Sequence, residues 1–339
     1  MEKLMLIDGS SMLHSSFYGS LPRYKTEEEK EKAFKQAMKT EDGVYTNGAF
    51  TMTDKILKLI KHQKPTHMVV CWDVNRDILL RRKKYAGYKA TREETRPELS
   101  QQFPVMQDIL AHMGIPQTRL EGHEADDIIG TLVERFEGKI PVIVITKDKD
   151  CLQLVSEHTS VWMPTREAAL KYKKRGIDPR DLEVPHNMFV YDLQTFEDEY
   201  GLEPHQIIDL KALEGDSSDN IPGVKGVGSV KATELLREYG TIEKLYESIQ
   251  GKDQKELKKL KEQLAQKGIT RVPLGALLKK SDEEYAGEKA ALLSKELATI
   301  ERNLEAYSTL PLERLKVRIN HDKKERIFKK YGFYSILKI

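Results

Sequence analysis

The sequence lacks the features that mark secreted, membrane-spanning and zinc-binding proteins. Its 339 residues include only two cysteines, Cys71 and Cys151, too few for a disulfide framework or a four-cysteine zinc site. The nine histidines show no paired spacing suited to zinc. No apolar run reaches membrane-spanning length, and the four-residue run near the N-terminus is too short for a signal peptide. These absences predict a soluble protein in a reducing, cytoplasmic compartment.

Net charge is also almost absent, but the charges are segregated along the chain. The 56 Lys and Arg residues nearly cancel the 54 Asp and Glu residues, leaving a net charge of +2. The segment 76–96 holds eight basic residues against three acidic ones, with Tyr85 and Tyr88 between them. Basic side chains neutralise phosphates and aromatic rings stack on bases. The segment therefore predicts contact with single-stranded or junction DNA, and a solvated basic helix is the alternative.

Three short apolar runs predict the buried strands of a parallel sheet. Each has the length of a buried strand, and helical patterns lie between them. This alternation is typical of a doubly wound α/β domain. The strands are predicted at 4–7, 67–72 and 142–146, and the helices at 47–62, 101–113 and 124–137.

The rest of the chain follows other patterns. From about residue 205 the pattern is helical with glycine-rich turns, which predicts a second, smaller domain. The stretches 20–45 and 156–190 are highly charged and weakly periodic, so we expect surface insertions there. The charged segment 252–268 predicts a solvated helix.

Acidic residues cluster where ligands bind in α/β sheets. An aspartate follows each predicted strand within two residues, and the carboxyl ends of parallel strands meet at one edge of the sheet. Further acids occur in pairs or triplets, and the spacing of Asp216 and Asp219 predicts one helical face. The nine candidate metal ligands are Asp8, Asp73, Glu124, Asp126, Asp127, Asp148, Asp150, Asp216 and Asp219.

Anions gathered this closely repel one another, and the motifs themselves offer no comparable cations. Divalent metal ions are the natural counter-charge, and all-oxygen ligands favour Mg²⁺ or Mn²⁺. Two such ions about 4 Å apart can serve phosphodiester hydrolysis. Helix stabilisation is the alternative for 124–127, and a turn or cap is the alternative for Asp216 and Asp219. Capping explains each cluster separately but not the three strand-end aspartates, which favours the metal site.

The segment 221–236 combines a glycine-rich turn with a helix start. Its glycines precede Ser229, which we expect to be the N-cap. Glycines let a phosphate approach closely, and the free amides of a helix start can bind it. A plain helix–helix connection is the alternative, but the lysines favour a DNA phosphate. The candidate DNA-binding residues here are Gly223, Lys225, Gly226, Gly228 and Lys231.

Together these motifs resemble one protein family, the 5′-nuclease domain of bacterial DNA polymerase I and its free-standing flap-endonuclease and 5′–3′ exonuclease relatives. The resemblance implies a PIN-like α/β nuclease domain over 1–200, with a central, mostly parallel sheet flanked by helices. It also implies a helical arch near 76–100 and a helical domain over 201–339 with a helix–turn–helix module that grips duplex DNA. The motifs, in order, are "LIDGSS", "CWD", "YAGYKATR", "GHEADD", "TKDKD" and "GDSSDNIPGVKGVG".

The resemblance also implies roles for individual residues and cofactors. Lys89 and Arg92, with Arg81 upstream, match arch residues that contact the scissile phosphate or the 5′ strand, and Tyr88 resembles a base-stacking aromatic. Two Mg²⁺ ions, with Mn²⁺ as a substitute, are implied, as is a K⁺ ion at the duplex-binding turn. Asp8, Asp73, Glu124 and Asp126, with Asp127 adjoining, match the first metal site, and Asp148, Asp150, Asp216 and Asp219 match the second.

The sequence thus predicts a metal-dependent 5′ nuclease that cuts DNA flaps, nicks and 5′ ends. We expect a monomer, free-standing or excised from a longer chain, that is cytoplasmic and associated with the nucleoid and works alongside a polymerase or ligase. One departure from the family is His14-Ser15, where many relatives have Tyr-Arg. It keeps open a DNA-binding protein with little or no cleavage. A metal-dependent phosphohydrolase of small molecules is a further alternative, although it would not need the basic segment or the glycine turn.

Overall fold

One six-stranded sheet organises the N-terminal half of the protein. In this computed structural model, residues 2–182, 184–185, 187–281 and 285–338 are described. The strands are β1 Leu4–Asp8, β2 His67–Cys71, β3 Gln117–Thr118, β4 Val142–Ile145, β5 Thr159–Pro164 and β6 Met188–Tyr191. Their order is β3-β2-β1-β4-β5-β6, and all pairs are parallel except β5 with β6. The direction of winding reverses between β1 and β4, which is where doubly wound sheets bind ligands.

The predicted strands are confirmed as β1, β2 and β4, but the sequence did not reveal β3, β5 or β6. The prediction of a surface insertion at 156–190 is wrong, because β5 and β6 are paired strands of the sheet, with β6 at its edge. Polar residues around β5 hide its alternation, although Val161 and Met163 are buried in one core and Trp162 in the other. By contrast, 20–45 is largely exposed apart from buried Ala33 and Phe34, and Phe34 stacks on Phe17 with ring centroids 5.8 Å apart.

Helices cover both faces of the sheet and build the second half of the chain. The three helices predicted between the strands are confirmed as α3, α6 and α7, with ends within one residue of the prediction. The α-helices are α1 Gly9–Ser20, α2 Glu27–Lys35, α3 Asn47–Gln63, α4 Leu80–Lys84, α5 Pro97–Ser100, α6 Gln102–Met113, α7 Ala125–Phe136, α8 Ala168–Lys174, α9 Leu193–Tyr200, α10 Gln206–Glu214, α11 Ser229–Tyr239, α12 Ile242–Ile249, α13 Gln254–Gln266, α14 Leu274–Leu277, α15 Gly287–Ala298 and α16 His321–Lys330. Of these, α13 is the predicted solvated helix, with only Leu264 buried.

Two apolar cores hold these layers together. Side chains alternate along a strand, so Leu4 and Leu6 of β1 point into one core while Met5 and Ile7 point into the other. The first core contains the apolar face of α7 and continues into α10, α11, α12 and α15. The second lies under α1, α3 and α6. The helical half of the chain therefore shares a core with one face of the sheet.

The chain after α15 returns to the α/β half. The backbone N–H of Val317 donates to the carbonyl of Thr66 at 2.9 Å, and that of Asn320 to the carbonyl of Met113 at 2.9 Å. Beyond these bonds, Phe328 and Phe333 are fully buried in the core under α3 and α6. The division of the chain at residue 200 stays a prediction, and these contacts show that its last helix packs with the first half.

The structure also bears on two of the predicted absences. Cys71 and Cys151 are both buried free thiols. Among the described residues, none of the helices combines the length and the apolar character that a bilayer span requires.

Candidate active site

The three strand-end aspartates lie at the same edge of the sheet, each fixed by local hydrogen bonds. Asp8 caps α1 by accepting from the N–H of Ser11 at 2.9 Å, and its other oxygen accepts from the hydroxyl of Thr146 at 2.7 Å. Asp73 accepts from the N–H of Ala125, the first residue of α7, at 2.8 Å. Asp148 accepts from the N–H of Asp150 at 2.9 Å. Strand ends and helix starts thus place these carboxylates together, as predicted.

A cavity of about 700 Å³ opens above this edge. Basic residues also line it, from the segment after β2 (Lys89, Arg92) and from α10 (Lys211). Asp127 and Asp219 are not among its lining residues. Of the nine predicted ligands, those that line it are Asp8, Asp73, Glu124, Asp126, Asp148, Asp150 and Asp216.

Asp126 and Asp127, although adjacent, have different surroundings. Asp127 completes a capping box with Glu124 at the start of α7, accepting from the N–H of Glu124 at 3.1 Å. Both of its oxygens also accept from the guanidinium of Arg81, at 2.6 and 2.7 Å. The Oδ1 atom of Asp126, by contrast, is buried without a hydrogen-bond partner among the described residues. The structure therefore favours the helix-stabilising interpretation of Asp127 and leaves Asp126 as a candidate ligand.

The pKa values report a shortage of positive charge around the strand ends. Burial, and then the charge of Asp73, raise the pKa of Asp8 to about 7. Burial also raises the pKa values of Asp73, Asp126 and Asp148, and neighbouring carboxylates add to each shift. A cation at this edge would stabilise all four ionised forms.

The donor set fits a hard divalent cation in its chemistry. It consists of carboxylate oxygens, one of them unpartnered, in a polar cavity. Within the described residues, no three His, Cys, Asp or Glu side chains are already gathered around a single point. Binding a metal ion here therefore requires side chains to turn toward it.

Lys211 is a site residue that sequence reasoning missed. It lies in α10, outside the acidic motifs, where it contacts Asp150 and donates to Asp216 Oδ2 at 2.6 Å, so these carboxylates take counter-charge from a neighbouring helix. Burial would raise the pKa of Asp216, but the hydrogen bond and charge of Lys211 and the hydrogen bonds from Ser218 together outweigh it and lower that pKa to about 2. The available signal was its position in α10, five residues before Asp216.

The basic segment after β2 folds down onto the acidic residues. It forms a 3₁₀ turn at Arg76–Ile78 and the short helices α4 and α5, where one helical arch was expected. Lys89 contacts Glu124 and lies 3.5 Å from Asp219, while Arg92 contacts Asp219. Burial raises the pKa of Glu124, but Lys89 and Arg81 more than reverse this, so that pKa is below its usual value. The alternative of a solvated basic helix is therefore not observed.

Tyr88 does not have the surroundings of a base-stacking residue. Its side chain is 3% exposed, and its hydroxyl donates to Glu124 Oε2 at 2.8 Å. The Lys89 ammonium lies 5.1 Å from the centre of the ring. The stacking role is therefore corrected, and Tyr88 instead orients Glu124.

Asp216 and Asp219 lie in a tight turn after α10, so the prediction of one helical face is wrong. The backbone of Asp216 pairs in both directions with Ile221, at 2.8 and 2.9 Å. The turn docks on the basic segment through the N–H of Lys89, which donates to the Asp219 carbonyl at 2.8 Å. The Asn220 amide donates to the Gly87 carbonyl at 2.6 Å. The turn interpretation left open by the sequence is therefore correct, yet Asp216 still lines the cavity, while Asp219 contacts Arg92 beside it.

The glycine-rich turn forms as predicted, with changes in detail. Gly223 (φ +60°) and Gly226 (φ +94°) adopt left-handed conformations, and a Cβ on Gly223 would come within 2.3 Å of the backbone of Gly215. Gly228, and not Ser229, is the N-cap of α11, and no side chain caps this helix. Lys225 is exposed, whereas Lys231 is held by Glu234 and the Thr270 carbonyl. The free helix start is compatible with phosphate binding, but Lys231 is engaged within the protein.

Two family models match the chain. One, described as 5′-3′ exonuclease, N-terminal resolvase-like domain, matches residues 3–183, and one described as 5′-3′ exonuclease, C-terminal SAM fold matches residues 202–323. The chain belongs to the 5′–3′ exonuclease family. The resemblance stated from the motifs is thus confirmed, and with it the assignment to a family of hydrolytic nucleases and to an α/β domain followed by a helical one.

The relatives of this chain differ in length: two 5′-3′ exonucleases are of similar size, and the polymerases are longer. A 5′-3′ exonuclease of Halalkalibacterium halodurans is 34% identical over 314 residues, covering 92% of this chain and 88% of the relative. One of Bacillus subtilis is 35% identical over 314 residues, covering 89% and 96%. DNA polymerase I of Bacillus caldotenax is 36% identical over 338 residues, or 99% of this chain but 32% of the relative. The chain thus spans about a third of the polymerase relatives that it matches.

Solved structures share the fold of this 5′–3′ exonuclease-family chain. A structure of T5 5′-exonuclease with bound zinc has a TM-score of 0.56 at 19% identity, covering 99% of this chain and 100% of that one. The catalytic core of Rad2 in complex with a DNA substrate has a TM-score of 0.52 at 16% identity, covering 97% and 88%. At these identities, the likeness supports the fold alone.

Proposed function

We propose that the protein is a structure-specific 5′ nuclease that hydrolyses phosphodiester bonds at 5′ flaps, nicks and 5′ ends of DNA with two Mg²⁺ ions, for which Mn²⁺ can substitute. The main support is the group of buried strand-end carboxylates with raised pKa values beside the unpartnered oxygen of Asp126. Membership of the 5′–3′ exonuclease family agrees with this chemistry. So do two fold neighbours, one of which was solved with bound divalent metal ions and the other with a DNA substrate.

The metal-holding roles divide between two groups of residues. Bound divalent ions would supply an activated water and stabilise charge on the leaving oxygen. The chain itself orients the carboxylates by placing them at strand ends and helix N-caps. It also keeps other hydrogen-bond partners away from Asp126. In this proposal the first site uses Asp8, Asp73, Glu124 and Asp126, and the second uses Asp148, Asp150, Asp216 and Asp219.

Lys89, Arg92 and Lys211 serve as internal counter-cations in this proposal. Each now contacts a candidate ligand, and each lines the catalytic cavity. When divalent charge neutralises those carboxylates, the ammonium and guanidinium groups become available to DNA phosphates. Arg81 remains with Asp127 at the start of α7 and keeps a positioning role.

Duplex DNA is proposed to bind at the turn before α11. Gly226 and Gly228 are exposed there, and the first amides of the helix are free of side-chain caps. The same proposal includes a K⁺ ion at this turn. It also states that the protein acts as a monomer in the cytoplasmic nucleoid and works alongside a DNA polymerase or ligase. The match to polymerase relatives supports the last point.

One alternative has an observation in its favour. Lys89, Arg81 and Lys211 already neutralise several of the acids, which would suit a DNA-binding protein with little cleavage. The four aspartates with raised pKa values argue against this, because those basic contacts leave them short of positive charge.

Incubation of the protein with a 5′-flap duplex tests the proposal. We expect cleavage with Mg²⁺ and none with EDTA, and we expect Asp148→Ala to lower the rate by about 100-fold or more, as losses of catalytic electrostatics do. Asp253→Ala, which removes the N-cap of the remote helix α13, is the matched control and should cut at the wild-type rate. Wild-type protein that binds the flap but never cuts it with any divalent ion would establish the DNA-binding alternative.

A further inference from the structure

A second cavity adjoins the catalytic one. Its volume is about 860 Å³, and it shares Ser11, His14 and Lys147 with the catalytic cavity. Helices α1 and α3 form one side, and the chain leaving β5 forms the other. Because the lining residues are shared, a strand seated over the carboxylates has direct access to this second cavity.

Three cations line the second cavity without carboxylate partners. They are Lys55 of α3, Lys147 after β4 and Arg166 after β5. In the described part of the chain none of them forms an ion pair, and Asp54, next to Lys55, pairs at 2.7 Å with Lys58 instead. Among the described lining residues, Glu167 is the one acid. The cavity therefore carries an excess of positive charge.

Lys55 is held in place while its charge stays uncompensated. It is partly buried, and its ammonium donates to the Ser16 hydroxyl at 3.0 Å. Burial, and then the nearby charge of Lys147, lower the pKa of Lys55. An anion in the cavity would relieve both effects.

The rim of the cavity adds a surface suited to a nucleotide. Tyr18 lines it and is 43% exposed, so part of the ring is open to a base. Asn187 and Thr51 add neutral hydrogen-bonding groups. Cations beside an open aromatic ring are the combination that binds single-stranded nucleic acid.

We propose that this cavity binds a phosphate group of the DNA strand next to the scissile phosphate, through Lys55, Lys147 and Arg166. The proposal rests on the proposed nuclease function, which brings a strand over the shared residues. The same phosphate chemistry has two sources, a terminal 5′-phosphate at a nick and an internal phosphodiester in a longer flap. The substrate arms below separate them.

Binding in EDTA tests the proposal without any cleavage. Lys55→Met keeps the buried aliphatic stem and removes the charge, and we expect it to weaken binding of a 5′-phosphorylated nicked duplex about tenfold by fluorescence anisotropy. The slope of log affinity against log salt should fall by about 1. Lys58→Met, on the exposed side of α3, should reduce the affinity and the salt slope less than Lys55→Met does. Ser16→Ala should leave both the affinity and the slope unchanged because it removes only the hydrogen bond.

Comparing substrates with different 5′ ends identifies which phosphate the cavity binds. If the loss is confined to the 5′-phosphorylated nick and absent with a 5′-hydroxyl nick, the terminal phosphate is bound. If flaps with either end lose affinity equally, the internal phosphodiester is bound. Lys55→Met binding within twofold of wild type, or matching Lys58→Met, overturns the proposal.

A second variant guards against a folding defect. Arg166 is exposed, so Arg166→Gln leaves the core intact and should reproduce the loss of affinity and of salt slope. If wild type never cuts DNA but these variants still lose affinity, the nuclease function fails and the phosphate site stands. If wild type cuts and both variants bind normally, only the phosphate site fails.

Discussion

Single residues in the acidic cluster have separate roles because their neighbours differ. Asp127 meets a guanidinium and backbone N–H groups, so it is satisfied as an anion within the protein. Asp126, one residue earlier, meets carboxylates and no hydrogen-bond donor at Oδ1 among the described residues. The first arrangement stabilises the fold, whereas the second costs stability until a cation arrives.

Alanine substitutions should separate these two roles. We expect Asp127→Ala to lower the free energy of unfolding by about 3 kcal/mol, because it removes a cap and the bidentate carboxylate partner of the largely buried Arg81, which keeps its bonds to Glu124 and the Thr299 carbonyl. Asp126→Ala should leave the metal-free protein at least as stable as wild type and should lose most of the stabilisation that Mg²⁺ provides. Urea unfolding with and without Mg²⁺ measures both. Equal destabilisation by the two changes would contradict the assignment.

Lys211 offers a test of the internal counter-cation. With Lys211→Met, Asp150 and Asp216 lose their partner, so we expect a lower melting temperature in EDTA and a larger rise on adding Mg²⁺ than in wild type. Lys295→Met is the matched control, since Lys295 also bridges two acids, Asp209 and Glu243, at 2.8 Å each, outside the cavity. Lys295→Met should have a lower melting temperature than wild type but the same rise in melting temperature on adding Mg²⁺. An unchanged response in Lys211→Met as well would refute the counter-cation role.

At the scale of elements, the sequence predicted what depends on periodicity. The central strands and α3, α6 and α7 have long, regular apolar patterns, and the strand-end aspartates followed from them. Strands β5 and β6 were missed because polar residues interrupt or flank their apolar patterns. The docking of Tyr88 and Lys89 onto Glu124 was also missed, because contacts between residues 35 or 36 positions apart leave no periodic signal.

The turn before α11 is the element whose backbone conformation bears most directly on duplex binding. Gly226→Ala forces a side chain into a left-handed conformation at a cost of about 1 kcal/mol, and we expect weaker duplex binding by fluorescence anisotropy. Gly228→Ala is the control, since its φ of −93° suits alanine and no atom lies within 4 Å of the added Cβ. Gly228→Ala should bind with no more than a small loss. Similar losses in both variants would point to surface crowding and not to the turn conformation.

At the scale of the whole molecule, α16 and the residues after it complete the second core, which lies under α1, α3 and α6. Phe333 is fully buried and packs edge-to-face on Phe50 of α3, with ring centroids 5.2 Å apart. Trp72 and Trp162 are buried in the same core. Residues from the beginning and the end of the chain therefore stabilise one unit.

This arrangement predicts a large effect from a distant residue. Phe333→Ala should lower the free energy of unfolding by about 3–5 kcal/mol through the cavity it leaves. Tyr334→Ala, at a neighbouring side chain that is 64% exposed, should change it by no more than about 0.5 kcal/mol. Urea unfolding followed by tryptophan fluorescence reports on the affected core. A small effect of Phe333→Ala would show that the segment after α16 is dispensable for the α/β half.

The return of α16 to the sheet also sets the order of events during synthesis. Ribosomes add about 5–20 residues per second, and domains generally fold as units from the N-terminus. Here the α1, α3 and α6 face lacks Phe328 and Phe333 until the residues up to 333 have emerged. The core beneath the carboxylate-bearing edge is thus incomplete until then, so final consolidation of the nascent nuclease comes only after the helical half has been made.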